Sequence, residues 1–182
     1  MALPWIMTSL RPRDGLASAR AFALASGLAV LSGCASHAGP PPSAPSELLA
    51  QPVPDFARPT VAGDRFDTRA ARGKVLVVKF FAKYCEPCKR TLPAVEALHK
   101  ERPGVSFVGI SEDEHEADSV DVVRQYGLTF PVVHDEDNVL SGRYRVDEMP
   151  VTFVVDRGGQ IVWVGKAKAT EDGLARAIEA AQ

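Results

Sequence analysis

The residues best able to do chemistry in this 182-residue chain are its three cysteines, at positions 34, 85 and 88. Cys85-Glu86-Pro87-Cys88 sets two thiols three residues apart, where an apolar strand gives way to a helix. That placement puts Cys85 at a helix N-terminus, where free backbone N–H groups and the helix dipole stabilise an anion. It puts Cys88 on the same side one turn later, within bridging reach. It also lowers the first thiol's pKa from about 8.5 into a range of about 3.5 to 7.5, which makes it a nucleophile near neutral pH. The chemistry predicted is thiol-disulphide exchange. A Cys85 thiolate attacks a substrate disulphide, a mixed disulphide forms, and Cys88 resolves it; the reverse sequence donates a disulphide.

Other readings of the pair are weaker. Structural zinc needs four ligands, and no second Cys/His pair stands at a suitable spacing, so no metal and no cofactor are expected. His37, His99, His115 and His134 are scattered and read as surface or edge residues. A plain structural bridge across so small a loop adds little stability. A net charge of -2, with charges dispersed along the chain, gives no basic field for nucleic acid. The acidic run from Glu112 to Asp118 reads as a solvated helix start.

The N-terminal region reads as an address. Arg11, Arg13 and Arg20 precede an uncharged apolar stretch from Ala21 to Leu31 that ends in Ser32 and Gly33, the order of a secretory signal. At about 1.5 Å per residue this stretch is too short to cross a hydrocarbon core of roughly 30 Å. Leu31-Ser32-Gly33-Cys34 resembles the lipobox of bacterial lipoproteins, which implies cleavage before Cys34 and a lipid anchor on its thiol. Ala35 resembles the residue found in lipoproteins sent to the outer rather than the inner membrane. Residues 36–54 hold six prolines and no hydrophobic period, and read as a solvated tether. The expected division is therefore a signal peptide over 1–33, an anchored tether over 34–53 and a folded domain over 54–182.

Elements that could position the pair follow in order. Lys74 to Phe81 reads as a central strand buried on both faces. Leu92, Val95 and Leu98 give the next helix an apolar stripe, with Pro93 predicted to kink it. Val105 to Ile110 is a second strand. Ser111-Glu112-Asp113-Glu114 has capping-box form and predicts a helix ending at Gly127. A short strand at 131–133, a hairpin of Val151 to Val155 with Ile161 to Val164, and a final helix from Thr170 complete an α/β domain with a mixed central sheet flanked by helices.

From about Pro54 to Gly165 the chain resembles the TlpA/ResA-type thioredoxin-like proteins. The resemblance rests on Pro54-Asp55-Phe56, the strand from Val75 to Ala82, Cys85-Glu86-Pro87-Cys88, Pro93, and the stretch Glu148-Met149-Pro150-Val151-Thr152-Phe153 that runs on to Asp156. It implies a thioredoxin-like fold, a cis Pro150 beside the cysteines, and client contact through Met149 and Pro150. It further implies an envelope reductant of protein disulphides that faces the periplasm and is recharged by a membrane thiol-electron carrier, with clients in cytochrome c or copper-site maturation. A disulphide donor or isomerase, or a non-catalytic partner-binding lipoprotein, is the alternative. The peroxidase context Pro-x-x-x-Thr-x-x-Cys is absent, since Val78 and Ala82 stand at its positions. The cysteines are also one residue closer than in Sco-type copper chaperones.

Three departures from the family matter. Tyr84 replaces a tryptophan, Thr91 replaces a glutamate, and Lys79 stands where thioredoxins carry a buried aspartate. Lys79 either snorkels to an edge or approaches the underside of the thiol pair. In the second case its cation favours the Cys88 thiolate and makes the pair more oxidising. Burial would also lower its own pKa, so that it could handle protons.

Overall fold

The computed structural model describes residues 41–169 and 171–182. Strands β1 (Ala57–Pro59) and β2 (Arg65–Asp67) pair as a small antiparallel ribbon. The main sheet holds five strands: β3 (Leu76–Phe81), β4 (Ser106–Ser111), β5 (Val132–His134), β6 (Val151–Val155) and β7 (Ile161–Gly165), in the order β5-β4-β3-β6-β7. The first three run parallel, and β6 and β7 are antiparallel additions, so the sheet is mixed as the sequence predicts. Helices α1 (Glu86–Glu101) and α2 (Glu116–Tyr126) make the two parallel crossovers, a short α3 (Val139–Arg143) precedes β6, and α4 (Glu171–Ala180) closes the chain.

β3 is central and wholly buried, and its side chains alternate between two cores. Val77 and Phe81 join Cys88, Leu92, Val95 and Ile178 on the face covered by α1 and α4. Leu76, Val78 and Phe80 join Phe56, Tyr144 and Phe153 on the other. Each large side chain buried this fully is worth about 1.5–3 kcal/mol, which fixes the register of the strand that leads to Cys85. One helix spans Pro93. Gly127 ends α2 at φ 58°, as its position predicts.

Two expectations need correction. The capping-box segment does not start a helix. Ser111 is the last residue of β4, α2 begins at Glu116 after His115, and the Ser111 hydroxyl is buried, donating to Asp113 Oδ2 at 2.7 Å and accepting from Ser119 Oγ at 2.9 Å. The acidic run is thus partly an internal network.

The proline-rich segment is likewise no free tether over 42–53. Ala44 N donates to Val164 O, Ala50 N to Ile161 O and Val53 N to Gly159 O, at 2.7–2.9 Å, while Trp163 Nε1 donates to Pro42 O at 3.2 Å. Ala44, Leu48 and Val53 also pack on the core. Prolines lack N–H donors, but the residues between them bring enough donors and apolar surface to cover the exposed edge of β7.

Candidate active site

The turn from β3 into α1 places the two cysteines. Cys85 is the N-cap of α1, and Pro87 occupies the first turn, where its missing N–H costs nothing. The sulphurs are joined, with Cα atoms 5.2 Å apart, and Cys88 N–H points at Cys85 Sγ at 3.2 Å. Cys88 is fully buried and Cys85 is 7% exposed, so of the two residues only Cys85 keeps any accessible surface. Tyr84 beside it is 69% exposed. Thr91, one turn beyond Cys88, donates from Oγ1 to the Cys88 carbonyl at 3.1 Å. The Met149–Pro150 peptide is cis, and Met149 packs against the cluster that contains both cysteines.

The approach to Cys85 is braced from β4. Lys83 N–H donates to Asp113 Oδ1 at 2.8 Å, and Glu112 N–H donates to Phe81 O at 3.0 Å. The Lys83 ammonium pairs with Asp118 at 2.6 Å and Asp121 at 2.9 Å on α2, and these bonds hold its pKa above the usual lysine value. Burial pushes the Glu112 carboxyl upward, helped by the neighbouring Asp135, against a lowering hydrogen bond from Ser141. Sequence reasoning missed these bracing residues; the concentration of acids and serines over 111–119 was the available signal.

Lys79 does not reach an edge. It lies mid-strand between Gly109 of β4 and Thr152 of β6, on the face of Val77 and Phe81, and is 3% exposed. Its amine has no ionic or hydrogen-bond partner among the described residues, and burial lowers its pKa to about 7. Together with Thr91 and Pro150 it lines a cavity of about 140 Å³. The structure therefore brings Cys85, Cys88 and Met149 into one cluster and places Lys79, Thr91 and Pro150 along one cavity beside α1, whereas Cys34 lies outside the described residues.

An oxidisable cysteine pair capping the first long helix of this sheet defines a thiol-disulphide oxidoreductase of thioredoxin-like fold. The chain belongs to the AhpC/TSA family, whose model matches residues 49–164. It is 31% identical over 121 residues to the thiol-disulphide oxidoreductase ResA of Bacillus subtilis, covering 65% of this chain and 68% of that one. Among solved structures, a secreted Mycobacterium tuberculosis disulphide oxidoreductase homologous to Escherichia coli DsbE superposes with a TM-score of 0.64 at 26% identity, over 69% of this chain and 95% of that one. A thioredoxin-family thiol:disulphide interchange protein of Chlorobium tepidum gives 0.66 at 26% identity, over 76% and 99%. The family match begins before Pro54, in agreement with the docked segment.

Proposed function

We propose that this protein reduces selected protein disulphides in the cell envelope, with Cys85 as attacking thiol and Cys88 as resolving thiol. The observation that carries the assignment is the asymmetry of the pair: Cys85 caps the helix N-terminus and keeps a small accessible surface, 7%, whereas Cys88 is sealed at 0%. Met149 and Pro150 flank the client segment. Clients of the cytochrome c or copper-site maturation type, and a membrane thiol carrier that restores the dithiol, come from the resemblance to ResA-type proteins. Cys34 anchors the chain by lipid, facing the periplasm, with Ala35 favouring the outer membrane.

The test is a Cys88→Ser variant, which should hold clients as mixed disulphides through Cys85. No trapped adduct in the native cell, together with no disulphide reduction in vitro, would leave a partner-binding lipoprotein as the reading. A second reading, disulphide donation, is favoured by one observation: the buried ionisable residue of β3, the strand that leads to Cys85, is a lysine rather than a carboxylate. The reduction potential separates the two directions. A value well below about -200 mV supports reduction, and one near the roughly -120 mV of a strong oxidant supports donation. Membrane release of Cys34→Ala with retained activity tests the anchor.

A further inference from the structure

The segment over 42–53 docks with a direction. Ala44 N–H donates to Val164 O near the end of β7, Ala50 N–H to Ile161 O at its start, and Val53 N–H to Gly159 O in the turn before it, at 2.7–2.9 Å. The segment thus runs antiparallel to β7 along its outer edge, from the Gly165 end back toward Gly159. The two ends of that run are not equivalent. In the sheet register Gly165 pairs with Thr152, which pairs with Lys79, and in the next row Val151 pairs with Phe80. This is the end at which β3 turns into Cys85 and at which the cis Met149–Pro150 peptide enters β6. Gly159 lies at the opposite end, where the Arg157 carbonyl accepts from Gly73 N–H, ahead of β3, at 3.2 Å.

Pro41 and Pro42, where the docked segment begins, therefore sit at the redox end of the sheet. Pro42 O accepts from Trp163 Nε1 at 3.2 Å, and both prolines line one cleft with Glu148, the residue before Met149. The segment is three strand spacings from β3, roughly 15 Å at about 4.8 Å each. Docking also shortens the free chain. From Cys34 to Pro54 an undocked chain would extend up to about 70 Å, whereas the seven peptide steps from Cys34 to Pro41 extend at most about 25 Å.

We propose that residues 42–53 are a strap that turns the Cys85 end of the domain toward the lipid surface and keeps Cys85 within about 40 Å of it. The disulphides this protein meets then belong to partners held at the same membrane. The proposal rests on the reading of Cys34 as the lipid anchor. A short leash raises the effective concentration of partners on the same surface and keeps Cys85 from disulphides that stay farther out. The exchange chemistry is unaltered; the strap acts on which disulphides Cys85 reaches.

The experiment places the lipidated full-length chain on phosphatidylethanolamine–phosphatidylglycerol vesicles whose headgroups carry an acceptor dye. A donor dye is attached to an azide-bearing phenylalanine that replaces either Tyr84, beside Cys85, or Arg157, in the far turn; both residues are exposed. With the sheet ends about 15–20 Å apart, energy transfer from the Tyr84 site should be roughly threefold or more that from the Arg157 site. An insert of about twenty Gly and Ser residues between Gly39 and Pro40 should abolish that difference. Equal transfer from the two sites, greater transfer from the Arg157 site, or a difference that survives the insert overturns the strap.

In cells, Cys88→Ser adducts are collected with the membranes, and their partners are released by thiol and sorted by whether they stay with lipid. The natural leash should trap partners that stay with lipid, and the Gly-Ser insert should add partners that wash free. A majority of free partners on the natural leash overturns the proposal. A wild-type chain that does not bind the vesicles, or a Cys34→Ala chain that does, removes the lipid anchor and the proposal with it, which is a distinct failure of the underlying assignment.

Discussion

The backbone N–H of Lys83 donates to Asp113 Oδ1 at 2.8 Å, which ties the loop ending in Cys85 to the buried end of β4. The other carboxylate oxygen of Asp113 takes the Ser111 hydroxyl, and Ser111 in turn takes that of Ser119, so the brace reaches α2. Asp113→Ala removes an acceptor from a site only 5% exposed and leaves an N–H and a hydroxyl without partners. The expected loss is about 2–4 kcal/mol of unfolding free energy, read from urea midpoints, because a hydrogen bond to a charged group goes and buried donors are orphaned. Asp113→Asn keeps an acceptor and should lose clearly less. Equal losses in the two variants would mean that packing, not the brace, sets the effect.

A buried lysine makes stability depend on pH with a definite sign. Lys79 has a folded-state pKa of about 7 against an ordinary value of 10.5, so between those values the unfolded chain binds more protons than the folded one. Stability from this group therefore rises with pH across that window, and its cost is fully present below pH 7. In the oxidised protein, Lys79→Met should be more stable than wild type at pH 6, by on the order of several kcal/mol, since each pH unit between the two pKa values is worth about 1.4 kcal/mol. The difference should shrink steadily toward pH 10. Urea unfolding of both proteins at pH 6, 8 and 9.5 measures it, and a difference constant with pH would place the amine in water.

The docked segment makes a third prediction. A chain starting at Pro54 should be less stable than one starting at Pro41, since it loses Leu48 and Val53 from the core and bares the β7 edge that Ala44, Ala50 and Val53 now cover. Two partly buried apolar side chains and several backbone bonds predict a loss of about 2–5 kcal/mol, with a greater tendency to aggregate. Equal thermal midpoints for the two chains would return this segment to a mere tether.

What could be read in the sequence follows the same physics. β3 was legible because residues 76–81 are apolar on both faces apart from Lys79, and α1 because Leu92, Val95 and Leu98 repeat at helical spacing. Cys85 and Cys88 were legible as a pair from spacing alone. The segment over 42–53 was not, because its contacts are backbone bonds to β7 more than a hundred residues away, and proline composition carries no sign of them. α3 was also missed. Its N-terminus is held by Asp135, whose carboxylate accepts from Leu140 N and Ser141 N at 2.7 Å, across left-handed Asp137 and Asn138, a cap with no regular sequence signature. The side on which Lys79 lies needed the sheet order, since only a central strand denies its ammonium an edge.

Gly109 carries the last prediction, because it stands directly across from Lys79 in the β3–β4 register. A Cβ added there would sit 2.8 Å from Phe81 Cε1, 3.0 Å from Phe130 Cε2 and 3.2 Å from Val132 Cγ2. The first distance is below any normal contact, and both rings are buried in a packed core, so neither can swing aside freely. Gly109→Ala should therefore be overpacked rather than relieved of glycine's backbone entropy, with a loss of about 1–3 kcal/mol and a Tm lower by several degrees. Phe81 opens the turn toward Cys85, so displacing its ring should also alter Cys85 reactivity, seen as a changed rate at which the reduced chain reacts with a dithiobis-nitrobenzoate probe. A double variant, Gly109→Ala with Phe81→Leu, should recover part of the stability by vacating the contact. If the single variant is as stable as wild type and reacts at the same rate, the close approach of β4 to Phe81 does not constrain the site.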